Sequence, residues 1–251
     1  MRGRIAAYAG AQLRDHLVLR APVILILTVL GAWAYAAYTG LTPDAFDPSA
    51  SVEVRGQVER AFHAVLATFA FAGGALAVQG LVARHRHRGY DRVIFSRPLD
   101  PVRYYAQGFV LAGLTAMLIG AAGAEVYGAA VHNVSLPGVA AYVALGWLTI
   151  GGLGLLLSTV TRFHAPLLVL LLVADFACDR YAAGLRAAGS GSAIVDALRY
   201  LLPPGHVVAS LAGPFSQGFA FDLLTVAWPI SFGVVCITAA LVLLRKRPFG
   251  S

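Results

Sequence analysis

Apolar residues in this chain come in long runs, and several of the runs have the length of a bilayer crossing. A hydrocarbon core takes about 20 mostly apolar residues of helix. Five stretches reach or approach that length: Pro22 to Tyr38, Ala61 to Ala83, Ala106 to Val131, Val139 to Val160 and Leu223 to Leu244. A sixth, Pro166 to Cys178, is shorter. It lengthens through Leu185 only by taking Asp175, Asp179 and Arg180 into the membrane or its outer interface, which is costly unless those charges face other helices. The pattern predicts an all-α membrane protein with six transmembrane helices, forming one domain over residues 1–251.

Two flanking elements complete the expectation. In residues 1–20, Ile5, Ala9, Leu13 and Leu17 recur every four positions while Arg4, Arg14 and Asp15 point away, which predicts a helix lying on the membrane surface. Residues 179–222 hold a short amphipathic stretch, Ala193 to Leu202, stopped by Pro203-Pro204-Gly205. The apolar stretch after it, Val207 to Phe221, is interrupted by Gly213-Pro214 and Gly218, so no full span fits there. A re-entrant helical hairpin on the outer side, before the last span, is the arrangement expected, because irregular backbone at membrane depth must be buried in protein.

Composition agrees with a polytopic chain: 59% of residues are hydrophobic, 12% charged, and the mean hydropathy is +0.74. The formal charge of +7 does not indicate nucleic acid, because the cations bracket apolar runs. Arg2, Arg4, Arg14 and Arg20 precede the first run, six arginines lie between Arg84 and Arg103, Arg162 separates the fourth and fifth, and Arg245-Lys246-Arg247 follows the last. With six spans all of these fall on one side, which places both termini in the cytoplasm. The N-terminus lacks a small-residue cleavage site and reads as uncleaved.

Candidate chemistry is sparse. Glu125 and Asp175 are the carboxylates most clearly inside expected spans, where a charge costs at least about 2.5–3.5 kcal/mol. They read either as polar groups of a translocation route or proton-coupled site, or as internally satisfied groups, paired with Arg180 or bonded to a neighbouring hydroxyl. Gly108, Ala112, Ala116, Gly120, Ala124 and Gly128 form a row of small residues along the third run, suited to close helix packing. Cys178 and Cys236 sit apart in apolar surroundings, and no two histidines stand at ligand spacing within a span, so no metal or haem is expected. There is no phosphate-binding loop, no H-E-x-x-H and no G-x-S-x-G. If the protein uses ATP, another chain binds it.

The basic loop after the second run contains Arg88-Gly89 and then Phe95-Ser96-Arg97-Pro98-Leu99-Asp100, followed by Tyr104 and Tyr105. With Gly152-Leu153-Gly154-Leu155-Leu156-Leu157-Ser158-Thr159-Val160-Thr161-Arg162 and Leu201-Leu202-Pro203-Pro204, this ordered set resembles the transmembrane subunit of type-2 ATP-binding-cassette exporters. The resemblance implies a permease of the bacterial cytoplasmic membrane that is not itself an enzyme and carries no cofactor, ATP being bound by a separate soluble ATPase subunit. It implies pairing with a second permease copy or paralogue within the lipid bilayer. It also implies that residues 84–104 form a coupling loop, with Arg88, Gly89, Tyr90, Asp91, Arg92, Ile94 and Phe95 docking on the ATPase. The family commonly has an acidic residue just before the Arg-Gly position, where this chain has His85-Arg86-His87; the partner's cleft should then be more acidic than usual. The function expected is outward transport of an amphipathic or hydrophobic substrate. The rivals are an intramembrane enzyme built on Glu125 and Asp175, and a non-transporting membrane anchor.

Overall fold

In the computed structural model the described residues are 10, 13–14, 17–18, 21–40, 51–78, 82, 100–130, 134–190, 192–218 and 222–246. Their regular structure is helical throughout: α1 (Ala21–Thr39), α2 (Val52–Val78), α3 (Pro101–Ala130), α4 (Leu136–Val160), α5 (His164–Ala187), α6 (Ala193–Leu201), α7 (Gly205–Ser210), α8 (Ala212–Ser216) and α9 (Leu223–Lys246). Four of these are long and apolar enough to cross a membrane: α1, α3 over Pro101–Glu125, α4 and α9. Of the two other long helices, α2 opens with Glu53, Arg55, Glu59 and Arg60, and α5 carries Asp175, Asp179, Arg180 and Arg186.

Local signals explain the helix ends. Asp100 accepts the Val102 N–H at 2.9 Å and starts α3. Ser135 caps α4 through Gly138 N–H at 3.2 Å, with Pro137 in the first turn, where its missing N–H costs nothing. α5 stops at Gly189, whose φ of 70° suits glycine, and Ser190 N–H returns to Leu185 O at 2.9 Å. Arg245 and Lys246 close α9, at the end where a helix attracts cations.

The centre of the bundle is the α2–α4 pair. α2 packs against α1, α3, α8 and the whole length of α4, while the second half of α4 carries α5 and α9. Two-thirds of the apolar span in α4 (67%) is buried within the protein against 12% of that in α1, so α1 is the peripheral helix. Its Val23, Leu25, Ile26, Val29, Leu30 and Trp33 are exposed, an apolar surface suited to lipid rather than water. Tyr142, Val143, Leu66, Phe69, Val208 and Phe215 fill one end of the core, and Tyr105, Phe109, Leu155, Ala240 and Leu244 the other.

The helices approach closely through small residues. A Cβ on Gly120 would lie 2.8 Å from Val143 Cγ2 and 3.2 Å from Phe69 Cε1, and one on Gly233 would lie 2.6 Å from the Leu148 carbonyl. Along α3 the row Gly108, Ala112, Ala116, Gly120 and Ala124 is buried, and the contacts made at Gly120 lie within the chain. Midway along α4, Trp147–Gly151 form a π-helical turn. There Thr149 Oγ1 bonds Leu145 O at 2.8 Å and reaches Pro229 O on α9 at 3.2 Å.

Between α5 and α9 the chain makes a folded-back segment. α6 ends at Pro203-Pro204, and the turn brings Gly205 against Phe71 of α2 and Leu172 of α5. α7 and α8 then return until Ser216 meets His63. Phe71 is two turns further along α2 than His63, so the turn penetrates about 12 Å beyond the level of Ser216 at 1.5 Å per residue. The real interruption between the two short helices falls at Leu211, not at Gly213-Pro214; Pro214 sits in the first turn of α8, where a proline is tolerated.

Candidate functional site

Polar side chains within a mostly apolar bundle cluster where this folded-back segment meets α5 and α2. On α5, Asp175 and Asp179 are four residues apart and therefore share a face. Asp175 is completely buried, and an isolated buried carboxylate would be untenable. It is satisfied by His206 in the first turn of α7: the backbone N–H donates to Oδ2 at 2.7 Å and ring Nδ1 lies 2.6 Å from Oδ1. The geometry needs Gly205, because a Cβ there would stand 2.9 Å from Asp175 Oδ2.

The cluster continues outward. Arg199 of α6 donates to Asp179, and its Nη2 lies 3.3 Å from His206 Nε2. A carboxylate only accepts and a guanidinium only donates, so the proton belongs on Nδ1 and the lone pair on Nε2. Arg186 and Asp196, 3.7 Å apart, add an exposed pair between α5 and α6. The imidazole is thus occupied on both nitrogens. It orients α7 and offers no free base.

A second polar cluster fastens the other end of the segment. Ser216 Oγ donates to Gly213 O at 2.9 Å and accepts from His63 Nε2 at 3.0 Å, while Gln217 donates to Glu59. Glu59 Oε1 lies 4.0 Å from the same His63 nitrogen rather than Nδ1. A hydrolytic triad needs the carboxylate on one ring nitrogen and the serine on the other, so this arrangement is a clasp and no triad. Ser135 N–H, bonded to Ser216 O at 2.9 Å, joins the start of α4 to the same point.

Comparison with family models, curated proteins and solved structures gives no match. The site must therefore be judged on its own geometry. Glu125 is exposed on α3 and Asp175 is buried against His206, so the two carboxylates singled out by the sequence have separate surroundings. Among the described residues Asp175 is paired neither with Arg180 nor with a hydroxyl. Its partner is His206, which as a solitary histidine gives no signal in the sequence; the pairing of Asp179 with Arg199 is likewise visible only in the fold. The one local hint is Pro203-Pro204-Gly205-His206, a helix stop followed at once by a titratable residue.

Among the described residues no group of three His, Cys, Asp or Glu side chains converges as a metal site. Gly108 and Gly120 are buried between helices, and Gly128 lies in α3. Arg88, Gly89, Tyr90, Asp91, Arg92, Ile94 and Phe95, expected to dock on an ATPase, lie outside the described residues, as does most of the 1–20 stretch expected to form a surface helix.

Proposed function

We propose that this chain is the membrane-spanning permease subunit of an ATP-binding-cassette exporter of the bacterial cytoplasmic membrane, driven by a separate soluble ATPase and paired with a second permease. In this reading α2 and α5 join the four apolar helices as spans, the termini are cytoplasmic, and the folded-back α6–α8 segment is a re-entrant outer hairpin. The observation that carries it is the satisfaction of the α5 charges: Asp175 and Asp179 meet His206 and Arg199, which removes the main cost of placing α5 in a membrane. The ordered resemblance of the loop and span endings supplies the family. Force from the ATPase would enter through the basic 84–104 loop and leave as rigid-body motion of packed spans. The exported molecule would be amphipathic or hydrophobic.

Purification of the full-length chain from its native membrane tests this. A soluble ATPase should copurify, and Arg92→Glu and Phe95→Ala should each release it, since a reversed charge or a lost apolar anchor at a docking surface weakens association. ATP hydrolysis by the pure chain alone, or undiminished partner binding by both variants, would remove the permease reading.

A further inference from the structure

On one flank of the bundle, α1, α2 and α5 line an open cleft of about 770 Å³. Its α5 wall is a single helical stripe, Val169, Val173, Phe176 and Arg180, faced by Phe71 of α2 and Leu27 of α1. The stripe runs for about 16 Å along the helix, and its Phe176 ring lies 5.9 Å from the Phe71 ring on the facing helix. Val169 and Val173 are each about 60% exposed, so the walls are open and apolar.

Arg180 stands at one end. The neighbouring carboxylates are taken, Asp175 by His206 and Asp179 by Arg199, and the Arg180 guanidinium makes no ion pair or hydrogen bond among the described residues. A cation left unpaired at one end of an elongated apolar cleft calls for a ligand with a long apolar chain and one anionic group. We propose that this cleft is a binding site for an anionic phospholipid of the surrounding bilayer, the acyl chain lying along the Val169–Phe176 stripe and the headgroup phosphate on the Arg180 guanidinium. Charge-assisted guanidinium–phosphate bonding gives the headgroup preference, and the cleft volume falls in the range of small-molecule sites. The site belongs to this chain whether or not the permease reading stands.

Native mass spectrometry of the full-length, detergent-purified chain mixed with equal amounts of dioleoyl phosphatidylglycerol and dioleoyl phosphatidylcholine tests the assignment. The wild-type chain should retain phosphatidylglycerol in preference. Arg180→Gln should lose about tenfold in that retention and fall to the level of phosphatidylcholine, and Arg180→Lys should restore part of it. Arg162→Gln, at the distant α4–α5 turn, should keep the full preference. Equal retention of both lipids by the wild-type chain, or an unchanged preference in Arg180→Gln, would overturn the site. So would displacement of the lipid by inorganic phosphate at equal concentration, which would indicate an anion site without an acyl-chain cleft.

Discussion

Asp175 takes two hydrogen bonds from His206, at 2.7 Å from the backbone N–H and 2.6 Å from the ring, in a position closed to solvent. The residues are 31 positions apart in sequence, so this contact, with Arg199–Asp179, ties the α6–α8 segment to α5.

The two sides of that pair should not act independently. His206→Leu alone strands the Asp175 carboxylate in a position closed to solvent, and a loss of about 3–5 kcal/mol is expected. The Asp175→Leu/His206→Leu double variant should recover about 1–3 kcal/mol relative to the sum of the single changes. Thermal unfolding in detergent measures the cycle. Strictly additive losses would show that the two residues do not act together.

A methyl group at Gly205 should be harmful and one at Gly184 should not. The Gly205 Cβ would meet Asp175 Oδ2 at 2.9 Å and Leu172 Cδ2 at 3.1 Å, whereas nothing lies within 4 Å of a Cβ on Gly184 in α5. Gly205→Ala is expected to lower stability by about 1–3 kcal/mol, and Gly184→Ala to raise it by about 0.5–1 kcal/mol through helix propensity. Reversed signs in the same unfolding assay would contradict the packing described around the Pro203–Gly205 turn.

The small-residue row of α3 is spent on contacts within the chain, so enlarging it should damage the protomer itself. Gly120→Leu would drive into Val143 and Phe69, while Gly123→Leu on the same helix has open space. Size-exclusion chromatography with thermal challenge should show the first variant aggregating well below the wild-type temperature and the second unchanged.

The clasps fix which positions share an end of the bundle, and the proposed topology puts that end outside. Gln217 is bonded to Glu59, so Gln217 and Ser51 belong at one end of the bundle, and Arg162, following the full length of α4 from Ser135, belongs at the other. In a chain lacking Cys178 and Cys236, single cysteines at Ser51 and Gln217 should react with an impermeant reagent added outside, and one at Arg162 only after permeabilisation. Labelling of Ser51→Cys and Gln217→Cys from opposite sides would disprove the arrangement.

The apolar runs announce α1, α3, α4 and α9 because continuous hydrophobicity is a local property that the structure only has to honour. The stop at Leu201 is equally legible, since Pro203-Pro204 forbids continuation of the helix. α5 is harder to read: its helix runs through Asp175, Asp179 and Arg180, and the groups that make two of those charges tolerable come from α6 and α7. The His63–Ser216 contact spans 153 positions and has no sequence signature at all. A buried ion cluster is assembled by the tertiary fold, and periodicity cannot reveal it.

The π-helical turn at Trp147–Gly151 has a bearing on how this chain could be recognised from its relatives. One added residue in a helix advances everything after it by about 100°, so Gly152, which meets Gly233 of α9, is phased separately from Gly146, which meets Ala70 of α2. A related chain with an uninterrupted helix here would match the first half of α4 in one register and the second half in another. Its alignment to this one would carry a single-residue gap in the middle of an apolar helix.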